Sequence, residues 1–293
     1  MIVSSEIARS LDMQTKDLNL PIPFCKMSGA GNDFIIIDHR VPLIPRERMA
    51  EFARLVCRRK FSVGADGLFL IEPSDCADFK WRFFNADGSE AGMCGNGARC
   101  VARFAAMHGI AATPMRFETL AGIIDATVAD TQVTITMTPP HSFRFDLPVE
   151  VAGQTLMAHS VDTGVPHIVI FVDQLDAVDV VGLGRLLRHH PLFAPAGTNV
   201  NFVGQCPQGL GVRTYERGVE DETMACGTGV VAGALIAVAK GLADSPVEMV
   251  TAGGVALMVQ FTNGKEGAIN QVLLKGPAHL IYRGELTEEA LLE

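Results

Sequence analysis

Two strings in this sequence carry residue types that can do chemistry. Glu90-Ala91-Gly92-Met93-Cys94-Gly95-Asn96-Gly97 and Glu222-Thr223-Met224-Ala225-Cys226-Gly227-Thr228-Gly229 share the pattern Glu-x-x-x-Cys-Gly-x-Gly. Each runs into an apolar stretch of helix formers, Ala98 to Met107 and Val230 to Ala239, closed by Gly109 or Gly241. Each cysteine is therefore expected at a helix N-terminus. The first N–H groups of a helix lack internal partners and carry the positive end of its dipole, so such a start can cradle a carboxylate. The same field favours a thiolate over a thiol. A reactive sulfur beside a carboxylate cradle, present twice, suits a two-base racemase. If the two halves close face to face, one thiolate takes the α-proton of an amino acid and the other sulfur, as a thiol, returns a proton to the opposite face. Helix N–H groups aimed at the carboxylate would stabilise the charge that develops there. No metal or carbonyl cofactor is needed for this, and none is expected.

Other residues have plainer readings. Cys25, Cys57, Cys76, Cys100 and Cys206 are expected to pack as small hydrophobes. Neither glycine string ends in the Lys-Ser/Thr of a phosphate loop. No Cys-x-x-Cys or histidine pair stands near either cysteine, which argues against zinc. Arg217, in Glu216-Arg217-Gly218, could hold a second carboxylate in a bidentate fork, or equally form a solvent-facing salt bridge. Asn85-Ala86-Asp87-Gly88 reads as a strand-end turn. His167 opens an apolar strand, where a structural role is the ordinary one, and His108 is expected to face a helix C-terminus. A rival to proton transfer is redox chemistry, with Cys94 and Cys226 cycling through a disulfide.

The elements that must position these groups are mostly strands. Phe34 to Asp38, Leu68 to Glu72, Lys80 to Phe84, Ile123 to Val128 and Gln132 to Met137 read as strands in the first half. His167 to Val172, Asn199 to Val203, Gly211 to Glu216, Val255 to Phe261 and Gln271 to Lys275 do so in the second. Arg46 to Lys60 and Leu183 to His189 read as amphipathic surface helices. Pro139-Pro140 marks a boundary. The 293 residues suffice for two domains at roughly 150 residues each. The expected fold is α/β (α+β), with two pseudo-symmetric domains, each a mixed or antiparallel sheet wrapped around one buried helix. Residues 1–21 form an extension too polar for a signal peptide. Residues 22–138, with a returning segment 281–293, form one half, and residues 139–280 the other. A net charge of −9 argues against nucleic-acid or anionic-membrane partners. Seven cysteines without paired spacing favour a reducing, cytoplasmic setting. The longest apolar run, Val230 to Ala239, is too short to span a bilayer.

Five strings stand out along the chain, Lys26-Met27-Ser28-Gly29-Ala30-Gly31-Asn32-Asp33-Phe34, Asn85-Ala86-Asp87-Gly88-Ser89-Glu90, Cys94-Gly95-Asn96-Gly97-Ala98-Arg99-Cys100, Glu216-Arg217-Gly218 and Ala225-Cys226-Gly227-Thr228-Gly229. Together they resemble the diaminopimelate epimerase family. The resemblance implies cofactor-independent conversion of LL-2,6-diaminopimelate to the meso form, in lysine and peptidoglycan precursor synthesis, by a homodimer. It implies Cys94 and Cys226 as the acid/base pair. Backbone N–H groups of Gly95, Asn96, Gly227 and Thr228 would meet the reacting carboxylate. Asn32, Asn85, Asn199 and Arg217 would hold the distal end of the substrate, Glu216 and His167 would tune the thiols or the substrate ammonium, and Tyr282 would touch the partner subunit. Val165 replaces an asparagine that many members carry, and Gly67 a glutamine that some carry. Racemases of proline, hydroxyproline or histidine share the architecture and remain the alternative at this stage.

Overall fold

The computed structural model describes residues 18–263 and 269–292. The expected N-terminal extension therefore falls, over residues 1–17, outside the described residues. The chain divides into two compact units. One holds the described residues up to Val133 together with those from Ala278 onward, and the other holds Thr134–Pro277.

In the first unit the order is β1 (Ile22–Gly29), β2 (Asn32–Asp38), α1 (Met49–Val56), β3 (Gly67–Glu72), β4 (Phe79–Asn85), β5 (Glu90–Ala91), α2 (Gly95–Met107), β6 (Met115–Thr119) and β7 (Gly122–Ala129). β1 and β2 are antiparallel, β2 and β3 parallel, β3 and β4 antiparallel, β4 runs antiparallel to β5 and parallel to β6, and β6 and β7 are antiparallel. The parallel pair β2/β3 needs a crossover, which α1 supplies. α1 buries Phe52, Leu55 and Val56 against Ile35, Ile37, Leu68 and Leu70. α2 is buried over most of its length and packs on β1, β2 and β7.

The second unit continues with β8 (Gln132–Met137), which spans the boundary, then β9 (His141–Val151), β10 (Gln154–Asp162), β11 (Pro166–Phe171), α3 (Val180–Arg188), β12 (Asn199–Cys206), β13 (Gly209–Glu216), β14 (Asp221–Thr223), α4 (Gly227–Ala239), β15 (Val247–Thr251), β16 (Ala256–Asn263) and β17 (Ile269–Pro277). β18 (His279–Leu286) returns to the first unit, antiparallel to β1. The pairing scheme of the first unit recurs step for step. β10/β11 are antiparallel, β11/β12 parallel with α3 as crossover, β12/β13 antiparallel, β13 antiparallel to β14 and parallel to β15, and β15/β16 antiparallel. α4 is the buried centre, and its Ala232, Gly233, Ala234 and Ala237 let strands approach closely around it. Both central helices end in the same Schellman geometry. Ile110 N–H donates to Ala105 O (2.9 Å) and Leu242 N–H to Ala237 O (2.8 Å), with Gly109 and Gly241 left-handed between.

Two helices differ from the sequence expectation. The segment expected as one helix over Arg46 to Lys60 is a single 3-10 turn, Arg46–Arg48, followed by α1, which stops at Val56. Lys60 turns left-handed, and the Arg59 guanidinium reaches Asp33 and Asp66, drawing the chain away from the helix path. α3 begins three residues before the expected Leu183, because the Asp179 carboxylate caps the Gly182 N–H at 2.9 Å. No helix among the described residues is long and apolar enough to cross a membrane.

Candidate active site

Cys94 is the N-cap of α2, in extended conformation (φ −150°, ψ 110°). Its Sγ accepts a hydrogen bond from the Gly97 N–H at 3.4 Å, as a capping oxygen would. The first intrahelical bond runs from Ala98 N–H to Cys94 O (2.8 Å), so the N–H groups of Gly95 and Asn96 belong to the first turn, where an anion is favoured. Side chains behind this start are locked by polarity. The buried Arg99 donates through Nη2 to Asn96 Oδ1 (2.6 Å) and through Nη1 to Gly95 O (3.3 Å). Asn96 Nδ2 donates to Asn32 Oδ1 (2.6 Å), and Asn32 Nδ2 to Asp66 Oδ2 (3.0 Å). A guanidinium only donates and a carboxylate only accepts, so both amides between them have one possible orientation. Burial pushes the Arg99 guanidinium down to about 10, which leaves it charged at neutral pH. Asp66 and Asp33 are both held by Arg59, and Asp33 also by Lys26 at 2.8 Å. Asn85 closes its own turn, with Nδ2 donating to Ser89 Oγ at 2.9 Å. Tyr282 is half-exposed on β18, its ring edge-on to Phe24.

Cys226 is the N-cap of α4, also extended (φ −113°, ψ 109°), and Val230 N–H donates to Cys226 O at 2.9 Å. Its Sγ lies 3.4 Å from Thr228 Oγ1, and the Thr228 carbonyl accepts from Thr163 Oγ1 at 3.1 Å. Below the helix start is a buried polar triad. Thr214 Oγ1 donates to Asn201 Oδ1 (3.0 Å), and Asn201 Nδ2 donates to Ile168 O (2.8 Å) and to His167 Nδ1 (3.1 Å). The acceptor role of Nδ1 puts the ring proton on Nε2, a buried donor with no partner among the described residues. Burial drives His167 down to about 3, so the ring is neutral. Glu216 accepts from Thr223 Oγ1 at 3.0 Å, and burial pushes its carboxyl above the usual range despite that bond. Asn199 is spent on the backbone, donating to Pro166 O (3.1 Å) and accepting from Arg217 N–H (2.8 Å). The Arg217 guanidinium donates to Ala196 O at 3.2 Å.

The two helix starts rest on matching positions filled with different chemistry. A Cβ on Gly97 would overlap Phe69 Cζ, and one on Gly229 would overlap Asn201 Oδ1, so the glycine of each motif lets its helix start lie directly on the strand beneath. Around Phe69 are Phe34 (centroids 5.2 Å apart) and Phe83 (4.4 Å, stacked). The register places Phe34 and Phe83 where the second unit has His167 and Thr214. One floor is aromatic and the other a hydrogen-bonded polar set. Arg99, Asn201 and Thr214 escaped the sequence reading. Arg99 had a signal, an arginine in a helix read as buried on all sides, whereas Asn201 and Thr214 had none.

A family model for diaminopimelate epimerase matches residues 24–143 and 159–281. A diaminopimelate epimerase of Hydrogenobaculum sp. (strain Y04AAS1) is 46% identical over 90% of this chain and 98% of its own length. That of Aquifex aeolicus (strain VF5) is 44% identical over 92% and 99%. The chain belongs to the diaminopimelate epimerase family. Solved structures share its fold at lower identity. A phenazine biosynthesis protein of the PhzF family from Bacillus anthracis aligns with TM-score 0.69 at 18% identity, over 91% of this chain and 99% of that one. A probable proline racemase from Agrobacterium radiobacter K84 aligns with TM-score 0.68 at 19% identity, over 91% and 93%. Within the diaminopimelate epimerase pattern, Gly67 has a local cause. A Cβ there would lie 2.6 Å from Phe83 Cε2 and 2.7 Å from Phe84 O, so the aromatic floor leaves no room for a longer side chain.

Proposed function

We propose that this protein interconverts LL- and meso-2,6-diaminopimelate, with Cys94 and Cys226 acting on opposite faces of one α-carbon. The thiolate of one removes the α-proton as the thiol of the other delivers a proton, and the roles exchange with direction. The observation that carries this reading is the N-cap placement of both sulfurs, each at the start of a buried helix, in a chain of this family. First-turn N–H groups at Gly95, Asn96, Gly227 and Thr228 receive the reacting carboxylate and stabilise the charge that grows there. Arg217 holds the distal carboxylate, and Asn199 fixes the loop that carries it. Asn32 and Asn85 complete the distal grip. The neutral His167, through Nε2–H, and the raised carboxyl of Glu216 bear on the thiol or on the substrate ammonium. The active form is a cytoplasmic homodimer that uses the β18 face bearing Tyr282.

Pure protein incubated with LL-diaminopimelate in deuterated water should label one stereocentre as the meso form appears. Cys94→Ser and Cys226→Ser should each lose roughly three orders of magnitude in turnover, with circular dichroism unchanged. Full turnover in both variants would remove the cysteines from the mechanism. Arg217→Ala should cost about 10–100-fold on diaminopimelate. An equal loss on a monocarboxylate amino acid would redirect the substrate assignment.

A further inference from the structure

The duplicated motif begins with a glutamate that the proton-transfer chemistry does not use, Glu90 in one copy and Glu222 in the other. Each lies on a very short strand, β5 or β14, that delivers the chain to its cysteine four positions later. Each is held by an arginine of the longer neighbouring strand. Arg82 Nη1 donates to Glu90 Oε1 at 3.1 Å. Arg213 grips Glu222 bidentately, Nε to Oε1 at 2.7 Å and Nη2 to Oε2 at 2.8 Å. The register is the same in both. Glu90 faces Phe84 and Glu222 faces Tyr215, so each arginine is the diagonal neighbour two positions away on the same sheet face.

What differs is what holds each arginine from behind. Arg82 Nε is shared between both oxygens of Glu72, at 3.1 Å each, and Glu72 is buried on β3. Arg213 Nη1 donates to the carbonyls of Leu175 (3.0 Å), Asp176 (3.4 Å) and Val178 (3.1 Å), at the turn before α3. The rear anchors share nothing, while the forward partner and its distance from the cysteine are the same. A two- or three-residue strand has little pairing of its own to hold it. An ion pair joining it to a strand fixed in the body of the unit supplies that hold in fewer degrees of freedom than flexible contacts would.

We propose that Arg82–Glu90 and Arg213–Glu222 are matched positioning clamps, each setting where one cysteine sulfur stands relative to the N-terminus of its helix. These four are positioning residues, acting through the chain that carries the sulfur. The inference rests on Cys94 and Cys226 being the reacting groups, and it predicts a side-specific effect. Loosening the second clamp alters Cys226 and leaves Cys94 alone, and loosening the first does the reverse.

Glu90→Gln and Glu222→Gln keep the shape and remove the charge. Each variant and the parent protein would be treated with iodoacetamide without substrate, and alkylation of Cys94 and Cys226 followed separately by peptide mass spectrometry. A sulfur displaced from the helix N–H groups forms less thiolate, so alkylation of the adjoining cysteine should slow about 3–10-fold at neutral pH. The other cysteine should stay within about 1.5-fold of the parent, as independent sites do. On diaminopimelate both variants should lower kcat about 10-fold or more, as misplacement of a reacting group does, with KM little changed. Should a glutamine variant fail to fold, Glu90→Asp or Glu222→Asp, which keeps the charge one methylene further back, must show the same one-sided change. Equal change at both sulfurs, or no change at either, overturns the clamp. The alkylation result needs no substrate, so a protein that does not epimerise diaminopimelate but shows the one-sided change refutes the substrate assignment and leaves the clamp standing.

Discussion

His167 carries a consequence for stability that follows from its burial. Its folded-state value, about 3, lies below the ordinary 6.5. Between those values the unfolded chain binds a proton that the folded chain does not, so stability is full above about pH 6.5 and falls as the pH drops toward 3. The full effect is on the order of 5 kcal/mol. Glu216 works in the opposite sense: its raised carboxyl favours the folded state at low pH and is lost as the pH rises through its folded value. Urea unfolding of the parent and of His167→Asn between pH 4 and pH 7 would test the histidine. The parent should lose stability toward acid more steeply than the variant, and parallel curves would contradict a neutral, buried ring. Because the ring is neutral through this range, the acid limb of kcat/KM should not report its titration. At this scale the sequence marked where the two cysteines stand, because Cys-Gly-x-Gly before an apolar run of helix formers predicts a helix start, and Cys94 and Cys226 are both N-caps. It could not mark Asn201 or Thr214, which lie within strands and become notable only when register brings them beneath Cys226.

Among the elements, the glycines that let α2 and α4 lie on their floors give a sharp test. Gly97→Ala would drive a methyl into the Phe69 ring, and Gly229→Ala would drive one into the Asn201 amide. Each should cost about 1–3 kcal/mol, the usual range for overpacking, measured as a drop in Tm, and each should lower turnover because the helix start must lift away from the strand. A variant with parent-like Tm and turnover would show that the floors are looser than the contacts imply. The strands read from sequence were those with apolar runs or clean alternation, such as β3 and β8, where every residue or every second one is buried. β9 and β10 escaped because they form a hairpin exposed along most of β9, with Ser142 and Asp146 in left-handed conformation, so no hydrophobic period marks them. β1 and β18 escaped for a related reason. β1 runs into the glycine-rich turn before Asn32, and β18 is exposed over most of its length.

At the scale of the whole molecule, the duplication visible in two short strings extends to every strand pairing from β1 to β7 and from β10 to β16, although the side chains between the motifs differ widely. The first unit is discontinuous in sequence. Its β1 pairs with β18 from Ile22↔Leu286 to Ser28↔His279, and Leu286 and Leu291 belong to the core under α1. A chain ending at Pro277 should therefore keep amide protection in Thr134–Pro277 and lose it across β1 to β7, as hydrogen exchange would show. Uniform protection in the truncated chain would mean that β18 is dispensable. The same arrangement bears on the order in which the protein is made. A ribosome adds residues at roughly 5–20 per second, so β1 waits while the whole of the second unit is made before β18, the strand that completes it, is available. During that wait the backbone edge of β1 is open to any strand it meets, including one on a neighbouring nascent chain.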